Sequence, residues 1–161
     1  MQNSNNKIFI EMDADFSHKP SELKRNIKFF LKNNCDLLIS SRYLPNSKIN
    51  NWSVQRRIFS KLANLSAKLF LQIKVSDYTN GFRIYSRVAA KTIVNNCGNI
   101  GDGFIVLTEI LLKINQSKLK IMEIDSIFTN RVRGESSVNF SLIVQSFFGL
   151  MKLFLIKSIK K

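Results

Sequence analysis

Residues 7–15 read KIFIEMDAD, and this stretch decides the fold class. Lys7 to Met12 is a short apolar run of β-prone side chains that ends in acids, the pattern of a buried strand. Side chains alternate along an extended chain, so Asp13 and Asp15 project to one side just beyond it. Downstream, strand-like and helical stretches take turns. Pro20 suits the first turn of a helix carrying Leu23, Ile27, Phe30 and Leu31 at helical spacing. Residues 36–41 (DLLISS) are a second buried-strand candidate, followed by a loop through Pro45 and Asn46. Residues 54–72 form an amphipathic helix on which Val54, Ile58, Leu62, Leu65 and Leu69 mark one stripe. A turn at 77–81, a strand at 82–85, a helix at 86–95 and a glycine-rich loop at 98–103 follow. A helix at 104–115, a strand at 120–128 and a basic polar loop at 130–137 complete the pattern. The alternation predicts an α/β domain with a mixed, mostly parallel sheet flanked by helices. Function in such sheets collects at the carboxyl ends of strands, which is where Asp13 and Asp15 fall.

The chain has 161 residues, enough for one domain with a real core. Hydrophobic residues make up 45% and prolines number 2, which excludes a disordered or linker-dominated chain. Cys35 and Cys97 are too few for a disulfide scaffold or a zinc site and read as small hydrophobes in a reducing cytosol. Lys and Arg total 25 against 11 acids, a net charge of +14. A chain this basic is expected to meet a polyanion: nucleic acid, an anionic membrane surface or a phosphorylated substrate. The polar first residues give no expectation of a secretory leader. No uncharged apolar run reaches the length of about 18 residues that a spanning helix needs. Residues 136–151 are nevertheless uncharged and greasy, and the sequence closes on Lys157, Lys160 and Lys161. This tail, residues 138–161, reads as an amphipathic segment lying on a membrane surface behind a domain of residues 1–137. A final helix packed on the core is the alternative.

The Asp13-Ala-Asp15 pair offers two hard oxygen ligands, suited to Mg²⁺ or Mn²⁺ whose other ligands come from a substrate diphosphate. The plainer reading is a polar turn capping the helix behind it. His18, the sequence's one histidine, is a ligand or acid candidate and otherwise a loop residue bonded to backbone. Arg42 ends the second strand in ISSRY. Arg56 and Ser60 stand one helical turn apart, so a guanidinium and a hydroxyl share a face that can hold a phosphate, or an ordinary solvated face. Arg131 and Arg133 flank Gly134 in NRVRGESS. The sequence holds no phosphate-binding loop, nucleophile elbow or zinc-protease signature. Nor does it hold a zinc finger, an aromatic RNA-binding strand or a helix-turn-helix pattern.

In order, MDADFSHKP, ISSRY, Trp52-x₃-Arg56-x₃-Ser60, SDYTNGFRIY, GDGFIVLTEIL and FTNRVRGESS resemble the dolichol-phosphate mannosyltransferases and their polyprenyl-phosphate relatives in glycosyltransferase family 2. The resemblance implies a GT-A-like fold, a nucleotide-sugar donor such as GDP-mannose, and a polyprenyl or dolichyl phosphate acceptor. It implies sugar transfer with inversion, assisted by Mg²⁺ or Mn²⁺. Asp13 and Asp15 match the metal and donor motif, with Asp15 in the catalytic position. Arg131 matches a donor-loop residue. Arg42, Arg56 and Ser60 match the acceptor-phosphate positions, and Asp77, Arg83 and Glu109 fall in family motifs without an assigned role. Two features depart from the family. The nucleotide-binding segment that usually precedes the acidic motif is missing, and the loop reads Gly134-Glu135-Ser136-Ser137 where relatives carry a lysine. The expectation is therefore an enzyme peripheral on the cytosolic face of a membrane, its missing half supplied by a separate chain. A non-catalytic membrane-associated fragment is one alternative. A basic nucleic-acid-binding module, for which charge alone speaks, is another, and no nucleic acid partner is expected.

Overall fold

The chain is built around β2 (Leu37–Ser41), all five of whose residues are buried. The structure, a computed structural model, describes residues 7–98, 100–101, 104–130 and 140–159, with the helical course alone for 140–144 and 159. In chain order the other elements are β1 (Ile8–Glu11), α1 (Ser21–Asn33), β3 (Lys48–Asn50), α2 (Val54–Leu71), β4 (Arg83–Ser86) and α3 (Arg87–Asn96). They are followed by α4 (Phe104–Gln116), β5 (Ile121–Asp125), β6 (Ile127–Thr129) and α5 (Phe140–Ile159).

A four-stranded sheet runs in the order β1-β4-β2-β5, and β3 pairs with β6 in a separate two-stranded sheet. The pairs β2–β5 and β3–β6 are parallel, as strand–helix alternation predicts, whereas β4 runs antiparallel to both β1 and β2. The reason is local. Asp77, in the turn ahead of β4, is bonded to Arg42 just past the end of β2, so β4 starts where β2 finishes. At the opposite edge one carboxylate ties three strands. Asp36 accepts from the Ser86 hydroxyl on β4 and from the Lys120 N–H entering β5.

Strand alternation splits the core into two layers. Leu38 and Ile84 face Phe30 of α1 with Cys35 and Ile124. Leu37, Ile39 and Tyr85 face the other way, onto Ala67 and Leu71 of α2, Leu111, Leu112 and Ile114 of α4, and Leu150 and Leu153 of α5. Ser53 caps α2 by accepting from the Arg56 N–H, and Ser86 caps α3 through the Ala89 N–H.

Four features differ from the sequence reading, the first being β1, read as a buried strand but only partly buried at the sheet edge, with Ile10 exposed. The stretch 120–128 is two strands in two sheets, broken at Ser126, whose hydroxyl is buried and donates to Glu22. Residues 48–50, read as loop, form β3. The tail is a helix whose inner stripe packs on the core, with Leu153 fully buried and Phe154 against Phe70 at 5.5 Å between centroids. Its outer stripe leaves Phe147, Phe148 and Leu155 exposed. No helix among the described residues is long and apolar enough to cross a membrane.

Gly149 brings α5 close against α4, since a Cβ there would sit 2.5 Å from Ile105 Cγ1. Gly149→Ala is expected to destabilise the fold by about 1–2 kcal/mol despite alanine's better helix propensity. Leu155→Ala on the exposed stripe should stay within about 0.5 kcal/mol of the parent. Urea denaturation of the two variants checks this.

Candidate active site

β1 and β2 end side by side with the start of β4 between them, and the candidate residues gather at that end. Asp13 follows β1 with its side chain 58% exposed. Gly81, in the turn ahead of β4, lies beside it: a Cβ on that residue would be in ordinary van der Waals contact with Asp13 Oδ1, at 3.4 Å. Asp15 turns back and its Oδ1 accepts from the Ser17 N–H at 3.0 Å. The two carboxylates are thus presented by a tight turn, and the turn is anchored from below. Thr129 donates its N–H to the Ser17 carbonyl, and His18 bridges to Phe128 of β6.

His18 is buried between aromatic rings, 5.1 Å from Phe82 and 4.9 Å from Phe128, with Nε2 3.9 Å from Asp13 Oδ2. Neither ring nitrogen makes a hydrogen bond among the described residues. Burial lowers its pKa to about 4, helped by the Arg42 charge and opposed by Asp15 and Asp77. The imidazole is therefore neutral at neutral pH, a wedge under the acidic turn rather than a cation.

The stack continues. Phe128 meets Trp52 edge-on at 5.2 Å, and the Arg56 guanidinium lies 4.4 Å from the Trp52 ring centroid. Arg56 also donates to the Asn130 side chain at 2.6 Å. One turn on, Ser60 Oγ accepts from the Tyr43 hydroxyl at 2.6 Å, leaving its own O–H as a donor. A chain of rings thus joins the acidic turn to the Arg56 and Ser60 face of α2.

Arg42 sits inside this arrangement, nearly fully buried and held by Asp77. Its Nε and Nη2 donate to the two carboxylate oxygens at 2.8 and 2.7 Å, and Nη2 also donates to Thr79 Oγ1. Its guanidinium carbon lies 5.4–5.6 Å from the centroids of Tyr43, Trp52 and Phe128. Burial alone would raise the Asp77 carboxyl, but the guanidinium beside it and the N–H groups it accepts hold it below the usual range.

The other motif residues have structural partners. Arg83 is fully buried and donates to the carbonyls of Tyr78, Asn80 and Leu107, stapling the turn to α4. Glu109 is buried and accepts the Gly98 N–H, holding the loop after α3. Arg131, expected on the donor side, lies outside the described residues, as do Arg133 to Ser137. Several polar residues that position the site give no motif signal. Asn64 accepts the Tyr78 N–H, Glu123 accepts those of Ser76 and Asp77, and Asn80 donates to the Ser40 carbonyl. Their one clue is a polar residue in an apolar context. Beside the site Arg42, Tyr43, Ser47, Ile49, Arg57 and Lys61 line a cavity of about 250 Å³. Arg57 and Lys61 were not among the residues the sequence singled out.

Carboxylates after a first strand, joined by a chain of rings to an arginine and a hydroxyl on α2, are groups with the chemistry to hold charged ligands. The comparison with known families agrees. Residues 1–94 match the model for glycosyl transferase family 2, and the chain belongs to that family. The mixed sheet flanked by helices is GT-A-like. The chain is 30% identical over 141 residues to a polyprenol monophosphomannose synthase of Mycolicibacterium smegmatis, covering 88% of this chain and 52% of that protein. It is 29% identical over 137 residues to an undecaprenyl-phosphate mannosyltransferase of Micrococcus luteus, covering 84% and 55%. The chain thus spans about half the length of the curated relatives it matches.

Two outcomes test the geometry. Asp77→Ala strands the buried Arg42 charge and is expected to cost about 3–5 kcal/mol of stability in urea unfolding. The second concerns His18. The unfolded imidazole takes up a proton below pH 6.5 and the folded one only near 4, so stability present above 6.5 falls as pH drops through that window. His18→Gln should flatten this part of the stability–pH curve, whose slope is at most about 1.4 kcal/mol per pH unit from one group.

Proposed function

We propose that this chain carries the acceptor side and the acidic motif of an enzyme that transfers mannose from a nucleotide sugar, GDP-mannose, to a polyprenyl phosphate. The observation that supports the reading is the ring stack from His18 through Phe128 and Trp52 to Arg56, which links the acidic turn to the Arg56–Ser60 face. The names of the two relatives, each a polyprenyl-phosphate mannose enzyme, support the acceptor and the sugar.

The chemistry suits these residues. A lipid phosphate is anionic at neutral pH and attacks an anomeric carbon without a strong general base, consistent with a site whose one histidine is neutral. Arg56 and the Ser60 hydroxyl bind and orient that phosphate. Arg42, committed to Asp77, adds positive potential and fixes the shape of the cavity wall rather than moving with the ligand. Attack opposite the leaving diphosphate gives inversion at the sugar, and the bond to the departing nucleotide breaks as the new one forms. Arg131 is assigned to the donor side.

Asp13 and Asp15 fit Mg²⁺ or Mn²⁺ by the chemistry of their donor set. Two carboxylates supply hard oxygen ligands, a set that suits an ion whose remaining ligands are diphosphate oxygens. Bound there, the ion would neutralise charge on the leaving nucleotide diphosphate. On this reading the protein works at a membrane surface, where a lipid acceptor resides.

Transfer of radiolabelled mannose from GDP-mannose to a polyprenyl phosphate in detergent with Mg²⁺ or Mn²⁺ tests the reading. It is run with the chain alone and with the nucleotide-binding half of a relative supplied. Asp15→Ala is expected to lower transfer about 10–100-fold. Arg56→Ala should lower kcat/KM for the acceptor about 10–100-fold, the worth of a hydrogen bond to a charged group. Transfer that is indifferent to both substitutions, or absent in both arrangements, overturns the proposal.

A further inference from the structure

Trp52, the sequence's one tryptophan, stands just ahead of α2 and is 8% exposed. Its indole Nε1–H is buried and has no hydrogen-bond partner among the described residues. A buried tryptophan ordinarily finds an acceptor for that N–H, and leaving it unpaired is unfavourable. A phenylalanine in its place would have no N–H to satisfy. What the indole adds is its π face, the strongest among aromatic side chains in attracting a cation. Two guanidinium groups lie within reach of it: the central carbon of Arg56 is 4.4 Å from the ring centroid and that of Arg42 is 5.4 Å. The ring itself is braced by Phe128, edge-on at 5.2 Å.

The two arginines are held differently. Arg42 is fixed by Asp77, so the ring adds little to its placement. Asp77 also answers the Arg42 charge, which would otherwise repel a second guanidinium beside the same ring. Arg56 is half-buried on the inner side of α2, whose outer stripe of Val54, Ile58, Leu62, Leu65 and Leu69 is 52–72% exposed. A long side chain in such a place has several rotamers, and confining it to one is opposed by entropy. The Trp52 face and the Asn130 side-chain oxygen, 2.6 Å from Arg56 Nη1, restrict that choice.

We infer that Trp52 is a positioning residue for the acceptor phosphate: its π face holds the Arg56 guanidinium in place before the phosphate arrives, and the strength of that attraction sets acceptor affinity. Preorganisation of this kind raises affinity by removing the ordering that binding would otherwise require. The inference deepens the proposed function and rests on its assignment of Arg56 to the phosphate.

Because the sequence holds one tryptophan, replacing it throughout with singly or multiply fluorinated tryptophan alters Trp52 alone. Fluorine draws charge from the π face and leaves the ring's shape nearly unchanged. The probe is radiolabelled farnesyl phosphate in detergent, measured by equilibrium dialysis with no sugar donor present. Affinity is expected to fall stepwise with fluorination, by about 2–30-fold at the extreme, the range of one cation–π contact. Trp52→Phe should fall between the native and the most fluorinated ring. In an Arg56→Ala background the same fluorination should change affinity less than about twofold, which a packing role of the ring would not produce. Urea unfolding of each form checks the fold, and the fluorinated chains keep the test decisive should Trp52→Phe fail to fold. Binding that weakens in Arg56→Ala but is indifferent to fluorination overturns the inference and leaves the acceptor reading intact. Fluorination that weakens binding equally with and without Arg56 overturns it too. A native chain that binds no farnesyl phosphate overturns both.

Discussion

The buried pair between Arg42 and Asp77 is the constraint on which the rest of this structure depends. Asp77 is fully buried and Arg42 nearly so, a placement that costs several kcal/mol per ion unless the geometry repays it. Here the repayment is close to complete. Asp77 accepts two guanidinium bonds and the N–H groups of Arg42, Thr79 and Asn80. That network fixes the turn before β4 at the end of β2, which makes β4 antiparallel to its neighbour. It also sets Gly81 against Asp13. One ion pair therefore decides both a strand direction and the surroundings of the acidic motif. A hydrophobic pair of similar volume could bury as much area, but it would not hold the turn in one register.

The same pair shapes the electrostatics of the site. Asp77 answers the Arg42 charge inside the fold, while Arg56 sits nearer the surface and is shared between the Trp52 face and Asn130. Between acids and cations lies His18, kept neutral by burial and by Arg42. A charged imidazole there would attract the acidic turn and compete with any cation it held. A neutral ring between Phe82 and Phe128 does neither, and supports the turn by shape.

Much of this was legible in the sequence, and what was not has physical causes. The acidic motif after a first strand, the helices α1 to α4 and the α/β class follow from periodicity, a signal that acts over a few residues. The strand 120–128 looked continuous because apolar alternation does not reveal that Ser126 is buried on Glu22, more than a hundred positions away. β3 was missed because three residues carry too little pattern. Arg42 and Asp77 each resembled a site residue, and only the fold shows that they hold each other. Arg83 is the same case. An arginine that satisfies three carbonyls in the core cannot be told from a ligand-binding one by type or spacing.

The stripe on α2 is the deepest instance. Sequence gives the period of an amphipathic helix and its two faces, but not which face turns inward. The usual assumption puts the apolar face inside, because burial of leucine is favourable and burial of amides is not. α2 reverses this where its inner polar groups are satisfied: Asn64 bonds to Tyr78 and Thr79, Ser60 to Tyr43, and Arg56 to Asn130. Once those groups are paired, the penalty for facing them inward is small, and Ala67 and Leu71 supply enough contact to dock the helix. The leucines left outside then cost the protein solubility unless something covers them.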